Sequence, residues 1–119
     1  MWVDVYDSFV AMYYALDAAF DEHPTSERLR KFVSEANPFI WDGKGSADPA
    51  VYTEFRQTWG EEFGSCKVTA QEALRFVRRY LKIQDEGEYA FVPTDSVTLV
   101  EAFDSMVDDK TWKEALSNL

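Results

Sequence analysis

The segment Gly43-Lys44-Gly45-Ser46 is the first place in the chain where residue types suggest chemistry, because a Gly-Lys pair is part of many phosphate-binding loops. Such a loop also needs a Gly five positions before the Gly of that pair and a Ser or Thr directly after the Lys. Those positions hold Pro38 and Gly45. The sequence therefore predicts a surface turn here and no nucleotide cofactor.

Ligands for a metal ion are similarly incomplete. Polar residues alternate in the same segment as they do in a calcium loop, at Asp42, Lys44, Ser46 and Asp48. Lys44 would place a positive charge in a ligand position, and Thr53 stands where a bidentate Glu is needed. With His23 the only His and Cys66 the only Cys, neither a two-His nor a Cys-based zinc site can form. We expect no metal and no cofactor.

Catalytic groups are also sparse. His23 precedes Pro24 and is expected at a helix C-terminus, and Cys66 is expected to be a small, half-buried apolar residue. No Gly-x-Ser-x-Gly turn is present, and most of the 22 acids fall on polar helix faces, where water keeps them ionised. The sequence therefore predicts that the protein is not an enzyme.

Acidic and basic residues are distributed unevenly over the 119 residues. Residues 1–23 contain five acids and no Lys or Arg, residues 24–84 eight acids and ten bases, and residues 85–119 nine acids and two bases. Their net charges of −5, +2 and −7 give the total of −10. This charge repels nucleic acid and anionic membranes and attracts basic surfaces. We expect a protein with a basic surface as partner, and neither nucleic acid nor a membrane.

The main group of bases at helical spacing is Arg75, Arg78, Arg79 and Lys82. Four charges are a small footprint for nucleic acid within a protein of net charge −10. We expect these residues to form a solvated face or to pair with acids of the first and fifth helices.

A complementary acidic stripe lies near the C-terminus. Glu101, Asp104 and Asp108 are spaced i, i+3 and i+7, and Asp109 and Asp95 are near them. A solvated helix face is the ordinary interpretation of this spacing. A solvated face stays the favoured interpretation, and the lack of i,i+4 basic partners supports a partner-binding surface as the alternative. Glu101, Asp104, Asp108 and Asp109 are therefore candidate binding residues.

Three large apolar residues, Phe39, Ile40 and Trp41, lie between Pro38 and a Gly-rich turn. Docking of their side chains in the core is the commoner outcome for such residues. The alternative is that Trp41 is exposed beside Asp42 as a binding anchor, so both are included as candidates.

Hydrophobic periodicity and helix caps place the elements that carry these residues. The first helix is expected at about 2–22, with an apolar stripe at Trp2, Tyr6, Phe9, Tyr13, Leu16 and Phe20. The other five helices are each expected to start at a cap. In chain order the caps are Thr25 or Ser26, Asp48-Pro49, the capping box Thr69–Glu72, Thr94 or Asp95, and Asp108 or Asp109. A short strand pair could form only at Cys66–Val68 and Tyr89–Val92.

The sequence thus predicts an all-α, compact single domain over residues 1–119, with five or six helices and at most one short strand pair. We expect a cytoplasmic, monomeric protein, because no signal peptide, disulfide framework or membrane span is present in the sequence. The expected function is that of an inhibitor, immunity protein or antitoxin, which masks the basic surface of a nuclease or other nucleic-acid-binding protein as a nucleic-acid mimic. The alternative is a structural or adaptor subunit.

Overall fold

A computed structural model describes residues 1–90 and 97–119. These residues form six helices and one antiparallel pair of two-residue strands, which confirms the predicted fold class. In chain order the elements are β1 (Trp2–Val3), α1 (Val5–Glu22), α2 (Glu27–Ala36), α3 (Pro49–Phe63), β2 (Val68–Thr69), α4 (Ala70–Glu86), α5 (Leu99–Met106) and α6 (Asp109–Ser117).

Most helix starts are set by side-chain caps that the sequence indicated. The Ser26 hydroxyl accepts from the Leu29 amide at the start of α2, and the Asp48 carboxylate caps α3 ahead of Pro49. Thr69 and Glu72 form the complete capping box of α4. Each cap satisfies a backbone N–H that has no partner within its own helix. These three predicted starts are confirmed.

The predicted start of the first helix is wrong. Asp4 caps the first helix, so α1 begins at Val5, and Trp2 lies in β1, paired with Thr69. Trp2 is therefore exposed and not part of the buried stripe. Thr98 caps α5; the predicted caps Thr94 and Asp95 lie outside the described residues.

The predicted strand positions are partly wrong. β2 overlaps the predicted segment at Val68, but its partner is β1 at the start of the chain, where a helix was expected. Tyr89 and Ala90 lie in a turn, and the rest of the predicted strand Tyr89–Val92 is outside the described residues.

Aromatic side chains fill the core between α1, α3 and α4. The Phe55 ring lies edge-on to those of Phe9, Phe76 and Tyr80, with centroids 4.9–5.2 Å apart. Edge-to-face contacts are favourable because the positive ring edge meets the negative ring face. Under α6, the Trp112 indole N–H donates to the Ala70 carbonyl at 2.8 Å. The radius of gyration is 13.4 Å, which is close to the ~13.5 Å expected for one compact domain of this length.

A largely buried ion pair connects α2, α4 and α5. The Arg28 guanidinium lies 3.1 Å from the Asp85 carboxylate, and both side chains are about 10% exposed. The same carboxylate accepts from the backbone amides of Leu99 and Val100 at 2.8 and 3.1 Å. Asp85 therefore satisfies N–H groups in the first turn of α5 from a neighbouring helix.

None of the helices in the described part of the chain is long and apolar enough to cross a membrane.

Candidate functional site

The acidic stripe predicted on the fifth helix is occupied by structural contacts. Glu101 accepts from the Thr98 backbone N–H in a capping box, and Asp104 lies 2.8 Å from Arg78 of α4. Asp108 accepts from the Thr111 amide at 2.8 Å as the N-cap of α6. These carboxylates stabilise helix ends and one interhelical contact, so they are poor candidates for a free binding surface.

Asp108 caps α6, which confirms the predicted start of the sixth helix at Asp108 or Asp109. The helix α5 ends at Met106, and Asp108 belongs to the start of α6, so a single helical face through Glu101, Asp104 and Asp108 is not formed. Hydrogen bonds from Thr111 hold the pKa of Asp108 below its ordinary value. Asp109 is exposed in the first turn of α6, where a negative charge is favourable.

The loop of residues 37–48 is held closed by backbone hydrogen bonds at its two ends. The Ala47 amide donates to the Asn37 carbonyl at 2.8 Å, and the Asp48 amide donates to the Glu35 carbonyl at 2.9 Å. Ser46 is fully buried, where its hydroxyl donates to the Asp48 carbonyl and accepts from the Tyr52 amide. The loop is thus anchored to the body through its backbone and one small polar side chain.

The large apolar side chains of this loop are exposed. Phe39, Ile40 and Trp41 are 54%, 57% and 55% exposed, so the favoured prediction that they dock in the core is wrong. The Trp41 indole N–H donates to the Ser46 carbonyl at 2.7 Å, which fixes the ring against the loop. Asp42 is exposed next to it. The alternative prediction, an exposed Trp41 beside Asp42, describes this geometry.

A groove of about 600 Å³ lies between α1 and α6, next to this loop. Its wall on the α1 side is formed by Tyr6, Val10 and Tyr14, and its wall on the α6 side by Ala115 and the following Leu119. Phe39 closes the groove from the loop, with its ring centroid 5.6 Å from that of Tyr14. Leu119 is 48% exposed here.

The loop runs alongside α1 at this groove. Phe39 contacts Tyr14, and at the other end of the loop the Lys44 ammonium lies 5.2 Å from the Tyr6 ring centroid. Tyr6 and Tyr14 are two turns apart, about 12 Å along the helix axis. Ile40 and Trp41 fall between these two contacts in sequence, and Phe39 is the loop residue that lines the groove.

Acidic residues extend the same face of α1. Asp7 lines the groove, and Asp17 and Asp21 follow Tyr14 at helical spacing. In residues 1–90 and 97–119, no basic nitrogen lies within 4.0 Å of these three carboxylates. Burial and the nearby Asp4 raise the pKa of Asp7, against the opposing effect of two lysines, Lys44 and Lys67.

The basic stripe of α4 is partly neutralised within the protein. Arg78 pairs with Asp104 of α5, and Arg79 pairs with Glu62 of α3 at 2.5 Å. The groove of about 520 Å³ beside these residues is also lined by the acids Glu62 and Glu72. This mixture of charges gives no continuous basic surface for a phosphate backbone. The expected pairing with the fifth helix is confirmed for Arg78, whereas Arg79 pairs with the third helix and not with the first or fifth.

The residues considered for metal or nucleophilic chemistry are separated. His23 is the C-cap of α1, as expected, whereas Cys66 is exposed and not half-buried. No group of three His, Cys, Asp or Glu side chains in the described residues is placed to hold a metal ion. Lys44 and Gly45 lie in the loop described above, with Gly43 at a positive φ of 85°.

The structure therefore brings together a different set of residues from the one predicted. Trp41 and Asp42 lie in the loop beside α1, and no described hydrogen bond, ion pair or ring contact joins this loop to Glu101, Asp104, Asp108 or Asp109. Sequence reasoning missed Tyr14, Leu119 and the acids of α1 as site residues. A usable signal was present: residues 1–23 contain five acids and no base, and Tyr14 lies off the buried stripe.

Comparison of the chain with protein-family models, with curated protein sequences and with solved structures gives no significant match.

Proposed function

We propose that this protein is a binding module that acts as an inhibitor, of the immunity or antitoxin type, by covering the basic surface of a nuclease or another nucleic-acid-binding protein. The observation that carries the proposal is the closed loop of residues 37–48, which exposes Phe39, Ile40 and Trp41 on a chain of net charge −10.

The loop has the properties of a binding anchor. Large apolar side chains, and Trp above all, contribute most of the affinity in many protein interfaces. The backbone bonds at residues 35–48 and the bond from Trp41 to Ser46 hold these side chains in place before binding. An anchor that is ordered in the free protein loses less conformational entropy when the complex forms.

The charge supports a basic partner. A surface with an excess of carboxylates attracts a basic surface over a distance and raises the association rate, and it competes with a phosphate backbone for the same cations. Asp7, Asp17 and Asp21 have no ion pair within the described residues, so they are available for this role without breaking an internal contact.

The alternative is an adaptor subunit that buries the same surface in a larger assembly. The exposed aromatic and aliphatic side chains fit that role as well, because such surfaces mark protein contacts in general. The two functions differ in what the partner does: an inhibitor's target loses its own binding to nucleic acid when the complex forms, whereas an assembly partner does not.

The experiment compares three tagged proteins in affinity capture from the source cell: wild type, Ile40→Ser/Trp41→Ser, and the control Ile83→Ser. Ile83 is a matched control, because it is 59% exposed on α4, close to the 57% of Ile40. Wild type and control should capture the same protein with a basic sequence, and the loop variant should lose it. Retention should fall as salt rises from about 50 mM to about 500 mM, because screening weakens the attraction between charges.

The purified target then decides the type of function. Stoichiometric addition of wild type should abolish nucleic acid binding by the target, and the loop variant should not. Equal capture by the loop variant and the control would show that the loop of residues 37–48 is not the binding site. A captured protein whose nucleic acid binding is unchanged in the complex would contradict the inhibitor and favour the adaptor subunit.

A further inference from the structure

We propose that the groove between α1 and α6 receives an amphipathic helix of the basic partner, with apolar side chains in the groove and Lys or Arg facing the acids of α1. This inference rests on the proposed function and specifies the element of the partner that is recognised.

The groove provides the apolar half of such a site. Tyr14 and Leu119 are each 48% exposed and stand on opposite walls, so an apolar side chain placed between them would bury surface on both. Phe39 fixes the Tyr14 wall through its ring contact, and it directly precedes Ile40 and Trp41 in the chain. A helix lying in the groove would therefore also contact the loop at Phe39.

The backbone of the groove favours a helix over an extended segment. The walls come mainly from α1 and α6, whose backbone N–H and C=O groups are largely bonded within their own helices. An extended peptide would find few backbone partners there, whereas a helix satisfies its own backbone. The face from Asp7 to Asp21 spans 14 residues, or about 21 Å, which matches about four turns of a bound helix.

The charges of α1 favour a basic helix over a second copy of this chain. Asp7 lies at one end of the face, and Asp17 and Asp21 lie at the other. Cations of a bound helix would therefore meet acids on both sides of Tyr14 along α1. Lys44 and Lys67 partly offset Asp7, so the stronger attraction is expected at Asp17 and Asp21. Two copies would each bring a charge of −10 and the same three acids, which opposes self-association through this face.

The test uses a defined probe: a 14-residue peptide (~21 Å as a helix) of Leu and Lys in an amphipathic pattern. Binding is followed by NMR chemical shifts of the uniformly labelled protein. The probe should shift the amides of Tyr14, Ala115 and Leu119 in a saturable way. Two control peptides separate the contributions: one with every Lys changed to Glu, and one of Lys alone. Neither should bind the groove.

Two pairs of variants test the two halves of the site. Tyr14→Ala should weaken the probe at least about tenfold relative to Ile83→Ala, because it removes one apolar wall. Asp17→Asn/Asp21→Asn should weaken it about fivefold at low salt, as expected for two exposed ion pairs. Its control is Glu61→Gln/Glu86→Gln, which removes two exposed acids elsewhere and should have little effect. Thermal denaturation confirms that each variant is folded.

The inference would be overturned by any of three outcomes. The chemical shift changes could be spread over all acidic segments, or the Lys-only peptide could bind as tightly as the amphipathic probe. The two double variants could also bind the probe with equal affinity. The capture experiment keeps this failure separate from failure of the proposed function. If Tyr14→Ala still captures the basic partner and Ile40→Ser/Trp41→Ser does not, the groove is not used but the proposed function stands. If neither the probe binds nor any basic partner is captured, both are wrong.

Discussion

Replacement of Asp85 by Asn tests whether the buried ion pair between α2 and α4 also holds the start of α5. The Asp85 carboxylate contacts the Arg28 guanidinium and the amides of Leu99 and Val100 at 2.8–3.1 Å. Asn has nearly the same size but a single oxygen and no charge. At least one of the three donors therefore loses its acceptor, and the guanidinium loses the neighbouring negative charge in a site that is about 10% exposed.

We expect a loss of about 3–5 kcal/mol in the free energy of unfolding, as is typical when one member of a buried ion pair is removed. For 119 residues the entropy of unfolding is about 0.25 kcal/mol per kelvin, so the melting temperature should fall by roughly 12–20 °C. Amide exchange should also become faster at Leu99 and Val100 relative to the amides of α4, because their acceptor is weakened.

Asp104→Asn is the matched control, because it removes an Arg–Asp pair between α4 and α5 that is exposed. Asp104 and Arg78 are 44% and 37% exposed, and an exposed pair contributes only about 0.2–1 kcal/mol. Chemical denaturation of both variants measures the difference. If Asp85→Asn and Asp104→Asn cost the same, or if the exchange at Leu99 and Val100 is unchanged, the role assigned to Asp85 is wrong.

Three further outcomes follow from burial and pKa. Trp41→Ala should lower the free energy of unfolding by about 1–2 kcal/mol, because it removes a half-buried ring and one hydrogen bond. The buried Trp112→Ala should lower it by about 3–5 kcal/mol. Equal losses in denaturant titrations would contradict the exposure of Trp41. Because the pKa of Asp108 is lowered in the folded state, Asp108 contributes stability above the ordinary aspartate pKa, and this stability is lost as the pH falls through the folded-state pKa. Asp108→Asn should flatten that part of the profile of melting temperature against pH. An unchanged profile would refute the role of Asp108 as a cap. Exposed Cys66 should react with one equivalent of a thiol reagent in the folded protein, and protection until unfolding would contradict its position.

Most of the secondary structure can be predicted from the sequence, because the signals involved are local. The caps at Ser26, Asp48 and Thr69 act on amides two or three residues away, so their effect can be read from neighbouring letters. The apolar spacing of Phe9 and Leu16 likewise identifies the buried side of α1. Composition alone also gave the net charge, which is independent of the fold.

The start of the chain shows where local signals are insufficient. Trp2 continues the apolar spacing of α1, yet it lies in β1 because the backbone there pairs with β2, more than sixty residues away in sequence. Asp4 is compatible with a position inside a helix and with a cap, and the strand pairing decides between them. Periodicity carries no information about such a distant backbone partner.

Which acids are available for binding depends on how the helices pack. Asp104 is 26 residues from its partner Arg78, and Asp85 is 57 residues from Arg28, so a count of nearby bases could not reveal either pair. The same holds for the groove, where the packing of α6 on α1 places Tyr14 and Leu119 on opposite walls. Electrostatic and apolar contacts depend on distance in space, and the chain brings residues together in space only when its helices pack.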